Sequence, residues 1–159
     1  MNLLDKEPVK RVEKFLKEFN QSLGVIILEN SARTAQDAAM ALGCNIGAIV
    51  KSLLFKTENN FILCLVAGDK RCSSNKLKKI KNKKDVSMAS PEDVKYHTGF
   101  TIGGVSPVGH LEKIEIIIDN SLERFKELFA AAGHPNCVFK ISFLNIQKIT
   151  NGKVEDITE

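Results

Sequence analysis

The sequence predicts a mixed α/β or α+β domain with a partly closed, barrel-like sheet flanked by helices. Two observations lead to this fold class. Apolar, β-branched segments interleave along the chain with segments of helical periodicity. Several links between strands are only as long as a hairpin turn, which argues against a purely parallel sheet. No linker, repeat or low-complexity tract divides the 159 residues, so we expect one domain over positions 1–159.

The N-terminal part of the chain predicts a helix, a short strand and a second helix. Apolar residues recur at helical spacing behind Pro8, and they are Val9, Val12, Phe15, Leu16 and Phe19. A short strand is expected over residues 25–28. Thr34 is placed to cap a helix from Ala35 to Leu42, which Gly43 ends.

The middle of the chain predicts a hairpin, a basic helix and a further helix. Residues 49–56 and 61–67 are apolar runs joined by a polar turn, as in an antiparallel hairpin. A basic helix is expected over residues 74–81 and a short strand over residues 86–88. Ser90 and Pro91 are typical of a helix start, and Gly99 of a helix end.

The last third of the chain predicts three strands and two helices. A strand over residues 114–119 precedes a helix that begins at Ser121, runs to Ala132 and stops at Gly133. A strand over residues 138–141 and a short helix over residues 142–149 follow. The Asn-Gly pair at 151–152 turns the chain into a last strand around Val154.

Lys51 lies in the middle of a predicted strand, where a charge is costly. Strand side chains alternate between two faces, so Lys51 shares the more apolar face with Ile49, Leu53 and Phe55. A buried ammonium must find a partner or lose its charge. It therefore holds an anionic or strongly polar ligand, pairs with a carboxylate of the chain, or extends its stem to the rim of the sheet.

The composition excludes several classes of protein. No apolar run approaches the length of a membrane span, and acidic residues occupy the position of a signal peptide's apolar stretch. We therefore expect a cytoplasmic protein that does not contact membranes. The four cysteines are scattered without a C-x-x-C pair or a nearby histidine at ligand spacing, so neither structural zinc nor a disulfide framework is expected. Cys64 is expected to be a free buried thiol.

A basic segment covers residues 70–84, which carry eight lysines and arginines and no acidic residue. Such a segment attracts phosphates without sequence specificity, or it is simply a solvated helix and turn. Its candidate contacts with nucleic acid are Lys78, Lys79, Lys83 and Lys84.

A loop rich in glycine and proline covers residues 103–110, and its members are Gly103, Gly104, Val105, Ser106, Pro107, Val108, Gly109 and His110. Glycine lets a ligand approach the backbone, while proline stiffens the chain. The loop either binds a phosphate, ribose or carbonyl oxygen through its N–H groups or is an ordinary turn, because it matches no known phosphate-binding motif. His110 either donates to a ligand or caps the loop. The chain also lacks the local motifs of serine, cysteine and zinc hydrolases.

These residues together resemble the YbaK-type aminoacyl-tRNA deacylases, the prolyl-tRNA editing domains. The resemblance extends from about Val25 to the C-terminus. It rests on Thr34 with its alanine-rich helix, on the strand around Lys51, on Thr98-Gly99-Phe100 and on the GG-x-S-P-x-G loop about fifty residues after the lysine.

The resemblance implies hydrolysis of a wrong amino acid from the 3′ end of tRNA for proline, by a free-standing protein without metal or cofactor. It implies that Lys51 is the essential lysine, and that water or a hydroxyl of the terminal adenosine assists the attack on the ester. The implied substrate-binding residues are Thr34, Gly103 to His110, Ala132 and Gly133. The implied partners are tRNA and prolyl-tRNA synthetase.

Three positions depart from the cysteine-directed members of this family. Those members carry Tyr, Ser and Asp near positions where this chain has Leu28, Ala131 and Val138. The departure favours a small aliphatic substrate, alanyl or 2-aminobutyryl, over a cysteinyl one. Two alternatives stay open: a tRNA- or nucleotide-binding module without turnover, and a hydrolase of another small acyl ester.

Overall fold

An eight-stranded mixed sheet with five α-helices forms the computed structural model, which describes residues 2–159. The strands are β1 (Ile26–Ile27), β2 (Ile49–Thr57), β3 (Asn60–Ala67), β4 (Val86–Met88), β5 (Glu115–Asp119), β6 (Leu128–His134), β7 (Cys137–Ile141) and β8 (Lys153–Glu155). The helices are α1 (Glu7–Phe19), α2 (Ala35–Leu42), α3 (Ser74–Lys81), α4 (Pro91–Thr98) and α5 (Phe143–Thr150). None of these helices is long and apolar enough to cross a bilayer.

The sheet has the strand order β1-β7-β6-β2-β3-β5-β8, and β4 pairs separately with β2. Antiparallel pairs join β1 to β7, β6 to β7, β2 to β3 and β2 to β4. Parallel pairs join β2 to β6, β3 to β5 and β5 to β8. The predicted mixed fold class is confirmed.

Local sequence sets the ends of most helices as predicted. The hydroxyl of the residue before the helix accepts a backbone N–H at the start of four of them, and these caps are Thr34, Ser73, Ser90 and Ser142. A left-handed residue ends the same four helices, and these are Gly43, Asn82, Gly99 and Asn151. In α1 the buried stripe is narrower than predicted, because Phe15 and Phe19 are 42% and 38% exposed.

The predicted helix from Ser121 to Ala132 is wrong. A short 3₁₀ turn covers Asn120–Arg124, and the alanine-rich stretch that follows is strand β6. The side chains of Leu128, Ala130 and Ala132 are buried in alternation, which is the period of a strand. Because β6 lies between β2 and β7, pairing on both edges outweighs the helix propensity of three alanines. Gly133 therefore ends no helix.

Strand β2 holds the sheet together and is divided along one edge. The undivided edge of β2 pairs with β3 from Val50 to Thr57. On the divided edge, β6 pairs with Ile49 and Val50, and β4 pairs with residues 55–57. β6 is parallel to β2 and β4 is antiparallel to it, and among the described residues neither strand pairs with residues 51–54. The gap between the two strands is a fork beside these residues.

Apolar side chains cover both faces of the sheet. Val9, Val12 and Leu16 of α1 are fully buried in the larger cluster, together with Val50 and Leu54 of β2. A smaller cluster on the opposite face packs Leu77 of α3 against Phe55, Cys64 and Val66. The fork therefore lies along the edge of a strand whose two faces are both packed against apolar side chains.

Asp119 ties the C-terminal segment to the sheet, and its removal is expected to destabilise the fold. The buried carboxylate accepts hydrogen bonds from the Ile157 N–H at 2.8 Å and from the Thr158 hydroxyl at 3.2 Å. Asp119→Ala leaves both donors buried without an acceptor, so the free energy of unfolding should fall by about 2–3 kcal/mol. Urea denaturation measures this loss. Asp156→Ala, which removes an exposed carboxylate of the same segment, is the control and should cost much less; equal losses would contradict the anchoring role.

Candidate functional site

A cavity of about 380 Å³ occupies the fork of β2. Its wall is mainly apolar and comes from five parts of the chain: the start of α2, strand β2, the region from β4 to α4, the loop after α4, and strands β6 and β7. The lining residues are Ala32, Arg33, Thr34, Ala35, Ala38, Ile49, Val50, Lys51, Ser52, Leu53, Leu54, Met88, Val94, Ile102, Gly103, Val105, Phe129, Ala130, Ala131 and Val138.

Lys51 is half-buried in the wall of this cavity. Its ammonium donates a hydrogen bond to the backbone carbonyl of Lys70 at 2.5 Å, so its partner within the chain is a carbonyl dipole. Burial lowers the pKa of Lys51 below the ordinary range of a lysine, and nearby Cys72 and Asp69 act in the opposite direction. An ammonium has three donors, so this geometry leaves Lys51 donors for a ligand.

The first half of the predicted loop faces the cavity. Gly103 and Val105 line it, and Gly103 has a φ of +97°. A Cβ on Gly103 would lie 2.9 Å from Cγ of Arg33, so glycine allows the arginine side chain to lie across the loop. Gly104 is buried behind the wall, where its carbonyl accepts the N–H of Gly133 at 3.0 Å.

The second half of the loop lies outside the cavity wall, in contact with α1 and the core. The hydroxyl of Ser106 accepts the N–H of Val108 at 3.1 Å, and the carbonyl of Ser106 is 2.7 Å from Nε2 of His110. Burial lowers the pKa of His110. Pro107 is buried, and the carbonyl of Gly109 accepts Nε of Arg11 at 2.9 Å. These five residues support the loop rather than face the cavity.

The other predicted substrate-binding residues divide in the same way. Thr34 lines the cavity, but its hydroxyl is occupied as the cap of α2, where it accepts the N–H of Asp37 at 3.1 Å. Ala132 and Gly133 lie behind the wall, and Gly133 packs against the backbone of Pro8. Strand β6 instead contributes Phe129, Ala130 and Ala131 to the lining.

Two of the three positions that depart from the cysteine-directed pattern lie in the wall. Ala131 of β6 and Val138 of β7 are paired neighbours, and both line the cavity. Leu28 lies outside the lining. The part of the cavity beside β6 and β7 is therefore apolar.

The basic segment is partly neutralised by carboxylates. Ion pairs join Lys76 to Asp156, Lys81 to Glu115 and Lys83 to Glu58. Within residues 2–159, Lys78, Lys79 and Lys84 form no ion pair with a carboxylate. Through β4, the basic segment leads directly to Met88 in the cavity wall.

Sequence reasoning missed two polar residues of the cavity. Arg33 is exposed at the rim beside Gly103, and Ser52 follows Lys51 in β2. Their only signal was adjacency to Thr34 and Lys51. Cys64 is a free buried thiol, as predicted, next to Cys72. Among residues 2–159, no group of three or more His, Cys, Asp or Glu side chains is placed to hold a metal ion.

Comparison with known proteins identifies a family. Residues 29–149 match the family model of the aminoacyl-tRNA editing domain. The uncharacterized protein YwhH of Bacillus subtilis is 31% identical over 147 residues, which cover 92% of this chain and 93% of YwhH. The proline–tRNA ligase of Fervidobacterium nodosum is 29% identical over 157 residues, but this chain spans only 24% of that ligase.

A solved structure agrees with the sequence comparisons. It is described as a candidate trans-editing enzyme for prolyl-tRNA synthetase and superimposes with a TM-score of 0.91 at 35% identity, covering 97% of this chain and 98% of the other. The expected family resemblance is therefore confirmed.

Proposed function

Because the chain belongs to the aminoacyl-tRNA editing domain family, we propose that it hydrolyses the ester that joins a wrong, small amino acid to tRNA for proline. The proposed protein acts free of a synthetase, in the cytoplasm, and without a metal or cofactor. Its partners are the aminoacylated 3′ end of the tRNA and prolyl-tRNA synthetase, which produces the mischarged substrate.

One observation carries this proposal: Lys51 and the glycine loop line the same cavity. The half-buried ammonium lies in one wall, and Gly103 and Val105 form another. A cation beside bare backbone in an apolar site attracts a polar, partly anionic ligand, because charges interact strongly where water is scarce. The 3′ end of an aminoacyl-tRNA presents phosphate and ester oxygens together.

The reaction needs few catalytic groups from the protein, because an aminoacyl ester is already activated. Water attacks the carbonyl carbon, the bond from that carbon to the ribose oxygen breaks, and the proton of the water passes to the leaving hydroxyl. Lys51 holds the terminal phosphate or the carbonyl oxygen, and loop N–H groups stabilise the developing negative charge. Positioning of this kind is worth several orders of magnitude in rate.

The apolar wall favours a small aliphatic amino acid. Ala130, Ala131 and Val138 provide no group that could bond a polar side chain, while Ile49 and Phe129 narrow the space. Alanyl and 2-aminobutyryl esters fit this description better than a cysteinyl ester. Size selection is weak, at about 1–3 kcal/mol per methylene, which is why a second check after synthesis is useful.

Replacement of Lys51 tests the proposal. Lys51→Ala should fold and bind tRNA but lose most deacylation, because the cavity loses its cation. The measurement is release of alanine, 2-aminobutyrate, cysteine and proline from tRNA for proline by both proteins, with and without a chelator. We expect the wild type to release the small aliphatic residues, with the chelator having no effect.

Three outcomes would contradict parts of this proposal. Equal turnover by wild type and Lys51→Ala would refute the proposed site. Binding of tRNA without turnover of any ester would favour the alternative of a binding module. Inhibition by the chelator would refute metal-independent hydrolysis.

The rate should also depend on the charge of Lys51. Burial lowers the pKa of this ammonium, so its proton is lost at a lower pH than from an exposed lysine. The enzymatic rate, after subtraction of spontaneous hydrolysis, should therefore fall as pH rises through this lowered pKa. Lys51→Arg is the control, since whatever activity it retains should lack this loss. A rate that rises through the same range would show that the neutral amine is the active form.

The basic segment should contribute to tRNA affinity. Replacement of Lys78, Lys79, Lys83 and Lys84 by Gln should weaken binding and flatten its salt dependence, by about 0.7–0.9 in the logarithmic slope for each phosphate that is no longer neutralised. Lys83 should contribute least, because Glu58 already pairs with it. Filter binding at several salt concentrations measures the slope. A control variant carries the same charge change outside the segment, at Lys10, Lys14, Lys126 and Lys148; equal slopes for the two variants would show that the segment is only solvated.

A further inference from the structure

The backbone of Ser52 faces the cavity without a strand partner. The carbonyl of Ile49 accepts the N–H of Gly68 at 2.8 Å, so the backbone N–H and carbonyl of Ile49 point towards β3. In an antiparallel pair these groups alternate in direction along the strand, so those of residues 51, 53 and 55 also point towards β3. Val50, Ser52 and Leu54 therefore direct theirs towards the divided edge. There β6 pairs with Val50, and Ala89 donates to the carbonyl of Leu54 at 2.9 Å. In the part of the chain that the structure describes, no strand pairs with Ser52 on this side.

The side chain of Ser52 is also without a partner. Its hydroxyl oxygen is the one buried side-chain nitrogen or oxygen within residues 2–159 that makes no hydrogen bond. A buried hydroxyl without a partner costs stability. The hydroxyl itself is buried, so what Ser52 presents to the cavity is a backbone N–H donor and a carbonyl acceptor.

We propose that Ser52 recognises the α-aminoacyl group itself, so that the bound amino acid takes the place of one residue of a missing antiparallel strand. The α-ammonium donates to the carbonyl oxygen of Ser52, and the ester carbonyl accepts the N–H of Ser52. This pair of bonds is what two facing residues of an antiparallel ladder exchange. This inference rests on the proposed function and adds how that substrate is held.

The position of Ser52 fits this role. The side chain of Lys51, the preceding residue, lies on the face of β2 opposite to the side chain of Ser52. From there its ammonium can hold the terminal phosphate. The small apolar residues of β6 lie across the fork, where the side chain of the amino acid would point. Contacts to the ammonium and carbonyl select for an α-aminoacyl group of any kind. The apolar residues of β6 then select for the size of its side chain.

The test compares two substrates and two variants. Alanyl and propionyl esters on the same tRNA differ in the α-ammonium alone, which also makes the ester more reactive. Each enzymatic rate is therefore divided by the spontaneous rate, and this ratio should be at least about tenfold lower for the propionyl ester. Ser52→Pro removes the N–H that faces the divided edge, where the described residues make no ladder bond to it. This variant should therefore lower kcat/KM for the alanyl ester by about tenfold.

Thr150→Val is the control for a loss of stability away from the cavity. Its hydroxyl is satisfied, donating to the carbonyl of Ile146 at 2.6 Å and accepting the N–H of Gly152 at 3.1 Å, and Thr150 lies outside the cavity lining. This variant should lower Tm by a few degrees and leave kcat/KM unchanged. Full kcat/KM in Ser52→Pro, or equal ratios of enzymatic to spontaneous rate for the alanyl and propionyl esters, would overturn the inference while leaving the proposed function intact.

If no ester is hydrolysed, a binding measurement distinguishes the proposed deacylase function from the proposed binding role of Ser52. The probe is the non-hydrolysable alanyl amide of 3′-amino-3′-deoxyadenosine, compared with its propionyl amide by NMR. The backbone amide resonance of Ser52 should shift with the alanyl compound and much less with the propionyl one. A wild type that turns over nothing but shows this shift would refute the proposed function alone. An unmoved Ser52 resonance would overturn the inference.

Discussion

The divided edge of β2 is the constraint on which the site depends. A strand can continue a ladder with only one neighbour at each edge, and here a parallel strand and an antiparallel strand share the same edge. They cannot merge, so backbone groups between them have no strand partner among residues 2–159. Such groups are costly when buried and dry, which makes the fork a place that accepts a polar ligand. On the opposite edge, β2 pairs with β3 from Val50 to Thr57, so the ladder continues past the fork.

The glycine loop covers the fork because α1 holds it in place. Arg11 donates to the carbonyls of Gly109 and Gly99, at 2.9 and 3.1 Å, and its guanidinium lies 4.8 Å from the ring centre of Phe100. On the other side, the carbonyl of Gly104 accepts the N–H of Gly133. Both ends of the loop are therefore fixed before a ligand arrives, so little conformational entropy remains to be lost on binding. Residues 106–110 therefore stabilise the position of the loop although they do not line the cavity.

Local signals predicted those parts of the fold that depend on a few neighbouring residues. The caps at Thr34 and Ser90 and the left-handed Gly43 and Gly99 set α2 and α4 within the chain itself. The β2–β3 hairpin follows from its short polar turn. Strand β6 could not be predicted, because three alanines favour a helix until β2 and β7 provide edges for them.

The same reason limited prediction of the site. Lys51 and Gly103 stand out in the sequence because their residue types are unusual at their positions. Ser52 is an ordinary strand residue, and its interest arises only from the absence of a neighbour on one side, which is a property of strands far away in the chain. The supporting role of residues 106–110 likewise depends on α1, almost a hundred positions earlier.

The distribution of polar and apolar groups in the cavity bears on what the site can distinguish. Lys51, Ser52 and Arg33 can bind the parts that every aminoacyl-tRNA shares, namely phosphate, ester and ammonium. In the proposed complex, the apolar patch of Ala130, Ala131 and Val138, narrowed by Ile49 and Phe129, meets the part that differs between substrates. A patch without hydrogen-bonding groups distinguishes ligands by shape and volume alone, at about 1–3 kcal/mol per methylene. Such a site discriminates a branched or cyclic side chain from a compact one better than it discriminates between two compact side chains. The apolar wall therefore predicts activity on a range of small substrates.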